Sequence, residues 1–369
     1  MTLHTDSTLT INLDAITANY RHLQQQLRSG ARCTAVVKAN AYGLGVAPVA
    51  KALFAAGCRH FFVAHLQEGI ELRSVLKDAP IYVFHGIAPG TEATFLDHHL
   101  TPVLNDAGQI DLWQSAAQAG NHKLPAVLHI DTGMNRLGVS VDEAMHLLDD
   151  HAKTGGIDWQ FFMSHLACAH DPEHFLNLRQ LHRFKKLESL FPQVKRCFAN
   201  SSGIFLGQDF HFDMARPGAA LYGVNPLPEG KANPMQHVAT VHANILQVNH
   251  LKKNDTVGYG ATCELKEGSR IATLAIGYAD GYFRLLSNKA YCYIADCMVP
   301  VVGRVSMDLV TIDVTKVPES HIFPGAKVEM IGEHYTVDDA AKDSGTIGYE
   351  ILTSLGHRYK RIYLGGNAA

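Results

Sequence analysis

The chain is short of cysteine, of long apolar runs and of any charge imbalance, and each shortage excludes a class of protein. Cys33, Cys58, Cys168, Cys197, Cys263, Cys292 and Cys297 are its seven cysteines; they are odd in number and include no CxxC pair. That excludes a disulfide scaffold and reads as reduced thiols in a reducing compartment. Nowhere do eighteen apolar residues run together, so no membrane-spanning helix is expected. Residues 1–14 have neither the basic start nor the apolar core of a signal peptide, and the cytoplasm is the expected location. The 32 Lys and Arg stand against 35 Asp and Glu, a net charge of −3. Neither a basic stripe nor an acidic tail occurs, so a nucleic-acid partner is not expected and a small molecule is.

What is abundant is apolar. Hydrophobic residues make up 47% of the 369 and charged residues 18%, with 31 glycines and 14 prolines. This balance excludes a disordered, collagen-like or coiled-coil chain. The length suits about two domains, or one large barrel with an appendage.

From residue 12 to about 225 short apolar runs alternate with helical periodicity. Ile16, Tyr20, Leu23 and Leu27 share a helix face, with Asp14 placed to cap it. Strands are predicted over 33–37, 61–64, 81–84, 102–104, 126–130, 159–163 and 194–199. Helices are predicted between them, such as 46–56 and 141–149, the latter introduced by a Ser140/Glu143 capping box. Parallel strands need such crossovers. Seven or eight units over this length favour a closed (β/α)8 TIM-type barrel over an open doubly wound sheet. Asn225 to Gly230 reads as a turn-rich hinge. Beyond it Val241, Ala243 and Ile245 alternate with polar neighbours, and short strands follow over 270–276, 291–295, 309–313 and 328–331. The expected division is a barrel over 12–230 and a mostly antiparallel β domain over 231–369, joined by an N-terminal strand within 1–11.

The first residue with chemistry is Lys38, in Ala35-Val36-Val37-Lys38-Ala39-Asn40-Ala41-Tyr42-Gly43. At the C-terminal end of a barrel strand its side chain would face the mouth, where barrel active sites are built. Partial desolvation there makes an amine nucleophilic enough to form an imine with an aldehyde. A strand-end lysine simply reaching water is the plain alternative.

This stretch resembles the pyridoxal-phosphate attachment segment of the alanine racemases, and the resemblance spans nearly the whole chain. His129-Ile130-Asp131-Thr132-Gly133-Met134-Asn135-Arg136-Leu137-Gly138 is similar to the family's DTGMxRLG block. Ala199-Asn200-Ser201 and Arg216-Pro217-Gly218 resemble its cofactor-cradling segments. Val257-Gly258-Tyr259-Gly260, Ile276-Gly277-Tyr278-Ala279-Asp280-Gly281, Ser306-Met307-Asp308 and Ile347-Gly348-Tyr349-Glu350-Ile351 match later blocks, in family order and spacing. The resemblance implies an enzyme carrying pyridoxal 5'-phosphate that interconverts L- and D-alanine, working as a head-to-tail homodimer with shared active sites. It fits both D-alanine supply for the cell wall and D-alanine breakdown.

The same resemblance implies a role for each matching residue. Lys38 would serve the D-face and Tyr259, from the other subunit, the L-face. Tyrosine is an awkward base: its reference pKa of about 10 lies three units above neutrality, a cost of roughly 4 kcal/mol. His165 matches the histidine beside this phenol. Arg216 would stand against the pyridine nitrogen, where a guanidinium disfavours ring protonation and restricts transamination. Gly218 and Ala219 would offer backbone N–H groups to the phosphate; Ser201, Tyr42 and Tyr349 would add hydroxyls, and Asn200 would support the loop. Arg136 would bind the substrate carboxylate, helped by the Met307 N–H of the second subunit. Tyr278 and Arg284 match the entry corridor.

One departure stands out. Seven residues before Arg136 many relatives place a lysine that becomes carbamylated, and this chain has His129. Either neutral His129 accepts a hydrogen bond from Arg136, or a bound anion or water replaces the carbamate. Asp97-His98-His99, Cys168-Ala169-His170-Asp171 and His182 offer no recognised ligand spacing, so no metal is expected. The readings set against alanine racemisation are a serine or broad-specificity racemase, a decarboxylase, and a non-enzymatic cofactor-binding protein on the same barrel.

Overall fold

The computed structural model describes residues 7–150 and 154–366; residues 1–6 of the expected N-terminal strand lie outside them. Strand β1 (Ser7–Asn12) leads into a helix over Leu13–Gln26. Its cap is not Asp14, as the sequence suggests, but Asn12, whose side-chain oxygen accepts from Ala15 N–H. Asp14 falls two residues past the cap, in the first helical turn, where its charge suits the dipole.

Ten strands then form one all-parallel sheet: β2 (Arg32–Cys33), β3 (Ala35–Val36), β4 (Phe61–Val63), β5 (Ile81–Val83), β6 (Thr101–Leu104), β7 (Leu124–Asp131), β8 (Val139–Ser140), β9 (Ile157–Met163), β10 (Lys195–Cys197) and β11 (Met214–Ala215). The run predicted over 33–37 is split at Thr34, and that split closes the ring. Its first half pairs with β11 and its second half with β4. Thr34 N–H donates to Ala215 carbonyl and Ala35 N–H to His60 carbonyl, each at 3.0 Å. Strand β11 escaped the sequence reading because two residues carry no periodicity. The capping box is present: Ser140 Oγ accepts from Glu143 N–H, and the Glu143 carboxylate accepts from Ser140 N–H.

The barrel is filled rather than hollow. Val36, Phe62, Tyr82, Val103, Val127, Phe161, Met163, Cys197 and Met214 form an apolar plug of its own. The helices pack outside the ring in the larger core that runs on into the second domain.

Beyond the hinge come β12 (Ala239–His250), a hairpin of β13 (Asp255–Val257) and β14 (Cys263–Leu265), then β15 (Arg270–Leu274), β16 (Tyr291–Ile294), β17 (Cys297–Pro300), β18 (Val310–Asp313), β19 (Lys327–Ile331) and β20 (Lys360–Leu364). From Ala239 to Ile245 every second residue of β12 is buried, as the alternation requires. β1 inserts between β12, antiparallel, and β20, parallel, with Leu9 opposite Val241 and Arg361. Two helices, Val337–Ser344 and Gly348–Ser354, return from this domain to the barrel mouth. Asn225 N–H to Asp338 Oδ2 at 2.9 Å ties the hinge to the first of them. No helix among the described residues is long and apolar enough to cross a membrane.

Candidate active site

Side chains of a strand point the same way every second residue, so the plug predicts what stands above it. Two residues on from Val36, Tyr82, Val103, Val127, Met163 and Met214 are Lys38, Phe84, Asn105, His129, His165 and Arg216. Of these, Lys38, Phe84, His165 and Arg216 line a cavity of about 260 Å3, together with Tyr42, Arg136, Asn200, Ser201, Gly218, Ala219 and Tyr349. Ten of the residues singled out from sequence therefore meet in one place. Tyr259 and Met307 do not: both sit on the β domain, 72% and 53% exposed, away from the cavity wall. Tyr278 and Arg284 are likewise exposed on that domain.

The loop after Lys38 is a left-handed turn. Ala39, Asn40, Ala41 and Tyr42 all have φ between 52° and 56°, a conformation costing about 1–2 kcal/mol per non-glycine residue. Glu68 offsets part of this: its two carboxylate oxygens accept from Ala39 N–H and Ala64 N–H, each at 2.7 Å. Asn40 Oδ1 accepts from Val46 N–H at 2.7 Å and fastens the exit to the next helix. From the β domain, Tyr363 Oη donates to Leu44 carbonyl and Arg361 to Gly43 carbonyl. The turn brings the Tyr42 ring back over the cavity, against Tyr222 at 4.8 Å and edge-on to Tyr349 at 6.5 Å.

The cavity wall carries three cations and no carboxylate. Arg216 is buried and fixed: Nη1 donates to Cys197 carbonyl at 2.9 Å and Cys197 Sγ at 3.0 Å, and Nη2 to Ser164 carbonyl at 2.6 Å. Nη2 also lies 3.4 Å from His165 Nδ1. A guanidinium has only donors, so that nitrogen of His165 is the acceptor and carries no hydrogen. Burial, then Arg216 and Arg136, hold the His165 ring well below the usual imidazole range, and it is neutral. Burial and then Arg136 lower the Lys38 ammonium, opposed by Glu68. Lys38 Nζ stands 6.0 Å over the Phe84 ring.

On the far wall Ser201 Oγ accepts from Gly218 N–H at 3.1 Å and Ala220 N–H at 3.2 Å. A Cβ at Gly218 would overlap the Tyr42 hydroxyl, so only glycine lets that hydroxyl approach the backbone there. Asn200 Oδ1 accepts from Gly203 N–H and its amide nitrogen donates to Leu166 carbonyl, bracing the loop. Asp131 Oδ1 takes the N–H groups of Gly133 and Met134 and folds the loop that carries Arg136. An acid-free set of cations, hydroxyls and close backbone suits an anionic guest.

Of the two versions expected of His129, the direct hydrogen bond from Arg136 is not formed among the described residues. The His129 Nδ1 instead meets Asn105 Oδ1 at 2.8 Å. Sequence reasoning also missed Phe84, Asn105, Cys197, Glu68 and Ser164. The period of two would have found Phe84 and Asn105 once the strand register was known. Ser164 contributes a backbone carbonyl to Arg216 and Glu68 two hydrogen bonds to backbone, for which residue type gives no signal. Among the described residues no group of three or more His, Cys, Asp or Glu is placed to hold a metal.

Known proteins share this architecture along its whole length. The family model "Alanine racemase, N-terminal domain" matches residues 11–226, and "Alanine racemase, C-terminal domain" matches residues 238–363. The alanine racemase of Rickettsia peacockii is 48% identical over 97% of this chain and 99% of its own, and that of Rhizobium meliloti 46% over 99% and 98%. The crystal structure of the Bartonella henselae alanine racemase, with covalently bound pyridoxal phosphate, superposes with a TM-score of 0.91 at 41% identity, over 98% of this chain and all of that one. The Bacillus anthracis alanine racemase with bound L-Ala-P gives 0.88 at 28% identity, over 100% and 97%. With two family models tiling the chain and relatives near half identical from end to end, the chain belongs to the alanine racemase family.

Proposed function

We propose that this chain interconverts L- and D-alanine with pyridoxal 5'-phosphate held on Lys38, as a head-to-tail homodimer in the cytoplasm. The observation that carries the proposal is the acid-free cavity: Lys38, lowered by burial, faces buried Arg216 and neutral His165 beside a hydroxyl-rich cradle. The cofactor, when bound, supplies the electron-withdrawing group that acidifies the substrate α-proton.

The chain's residues do the rest. Hydroxyls of Ser201, Tyr42 and Tyr349 and the Ala219 N–H would receive the phosphate, on a loop braced by Asn200. Arg216, held by the Cys197 and Ser164 carbonyls, would stand against the cofactor ring and offer it no proton acceptor. Arg136 at the mouth binds the substrate carboxylate. Lys38 Nζ moves the proton on the D-face. Tyr259, exposed on its own chain, moves it on the L-face of a second copy's cavity, beside His165. The Met307 N–H follows Tyr259 to the carboxylate, and Tyr278 with Arg284 narrows the entry. In this reading residues 12–230 form the cofactor-binding barrel and 231–369, with the N-terminal strand, the domain that completes the neighbour's site.

Solvent-deuterium exchange at the α-carbon of each enantiomer tests the assignment in wild type, Lys38→Ala and Tyr259→Phe. Wild type exchanges both, and each variant loses exchange for one enantiomer first. Equal loss for both enantiomers in both variants defeats the two-face assignment, and no exchange in wild type defeats the activity.

A further inference from the structure

The barrel has a second opening, at the end opposite Lys38, where its parallel strands begin. Arg32 and Lys195 open β2 and β10, and His60 and Asp213 directly precede β4 and β11. These four side chains, with Tyr82 from the apolar plug, line a cavity of about 160 Å3. The plug stands between this cavity and the one that holds Lys38. None of the roles above uses Arg32, His60, Lys195 or Asp213.

The hydrogens in this cavity follow from hydrogen bonding and burial. The buried Tyr82 hydroxyl has one hydrogen-bond partner among the described residues, His60 Nδ1 at 3.0 Å. Burial pushes the phenol up, so it keeps its proton. A buried hydroxyl donates to whatever acceptor it has, so Tyr82 Oη donates and Nδ1 accepts. Burial, then Arg32 and Lys195, lowers the His60 imidazole, and the ring is neutral at pH 7. A neutral ring accepting at Nδ1 carries its hydrogen on Nε2, which has no partner among the described residues. Neither the Arg32 guanidinium nor the Lys195 ammonium has a hydrogen-bond or ion-pair partner among them. Asp213 is held in place: its carbonyl accepts from Arg32 N–H at 2.9 Å and its Oδ2 from Arg196 N–H at 2.7 Å. Its Oδ1 has no donor among the described residues.

We propose that this opening is a second anion site, built for inorganic phosphate: Arg32 and Lys195 balance its charge, His60 Nε2–H donates to it, and Asp213 Oδ1 accepts its O–H. The carboxylate sets the choice of anion. At about pH 7.5 inorganic phosphate, sulfate and a phosphate monoester are all mainly dianions, the ester having a second pKa of about 6. Of the three, inorganic phosphate alone keeps an acidic hydrogen. Sulfate and the ester dianion present bare oxygens to Asp213 and are repelled, which is selection by an unfavourable contact with the wrong ligand.

Calorimetric titration tests the site on protein already loaded with pyridoxal phosphate, so that the cradle at the other mouth is filled. Inorganic phosphate, sulfate and glycerol phosphate are compared at about pH 7.5 and fixed ionic strength. Phosphate is expected to bind saturably, once per chain, about tenfold tighter than either of the others. Arg32→Gln and Lys195→Gln should each weaken phosphate about tenfold, as loss of one charge-assisted hydrogen bond would. Both side chains are exposed, so neither change disturbs the core. Asp213→Asn should bring the three anions to similar affinity. Absence of saturable phosphate binding overturns the proposal, as do equal or tighter binding of sulfate and indifference to both cation variants. Displacement of phosphate by alanine would place it at the other mouth and overturn it too. The wild-type comparison decides even if Asp213→Asn fails to fold. It needs no turnover, so it stands apart from the racemase reading.

Discussion

At the scale of single residues the site is a problem of unbalanced charge. Lys38, Arg136 and Arg216 share one cavity without a carboxylate in its wall, so every imidazole nearby must stay neutral. That has a consequence for stability. His129 and His165 have folded pKa values below their unfolded ones, with His129 brought to about 4 and His165 well below the usual range. Between the unfolded value near 6.5 and the folded one, the unfolded chain binds more protons, so stability falls as pH falls. For His129 the loss by pH 4 is on the order of 3 kcal/mol, at about 1.36 kcal/mol per unit. Urea unfolding followed from pH 7 to pH 4 should show this decline, with a shallower slope in His129→Gln. A slope identical in the two proteins would remove His129 from the account.

At the scale of elements, a left-handed turn of four residues is held by one glutamate on the helix that follows β4. Glu68→Gln leaves one acceptor oxygen where two N–H groups need one each. The expected cost is about 1–3 kcal/mol, that of an unsatisfied donor. The same change removes the nearby negative charge that opposes the lowering of the Lys38 ammonium. Capture of pyridoxal phosphate by the apoprotein, followed by absorbance against pH, should therefore shift its midpoint downward. An upward shift would contradict the geometry. Elements also show what was legible beforehand. The alternation in β12 and the Ser140 capping box could be read directly, because strand period and cap chemistry are local. The split of the first barrel strand at Thr34 and the two-residue β11 could not, because only neighbours across the ring define them. The turn over residues 39–42 was equally hidden: alanine and tyrosine rarely adopt positive φ, and here the Glu68 carboxylate on another helix makes it tolerable.

At the scale of the whole molecule, the isolated chain gathers the cofactor cradle but leaves Tyr259 and Met307 on an exposed face. If a second copy brings them in, two inactive variants should complement each other. A mixed dimer of Lys38→Ala and Tyr259→Phe contains one site with both native residues and one with neither. Mixing equal amounts under exchanging conditions should restore about a quarter of wild-type activity, the statistical share of such sites in a two-fold dimer. Restoration of none would place the tyrosine in its own chain's cavity or remove it from the reaction.

The order of residues was sufficient to determine the alternating barrel, the β domain after the hinge, and the types of side chain gathered at strand ends, since periodicity and motif spacing are properties of neighbouring positions. Only the tertiary structure decided that Asn105 backs His129, that Cys197 and Ser164 hold Arg216, and that the lysine leads into a left-handed turn. It also decided which rings are neutral. Burial and Coulomb interaction act through space and sum over side chains brought together from β3, β7, β9 and β11, which no local stretch of sequence contains.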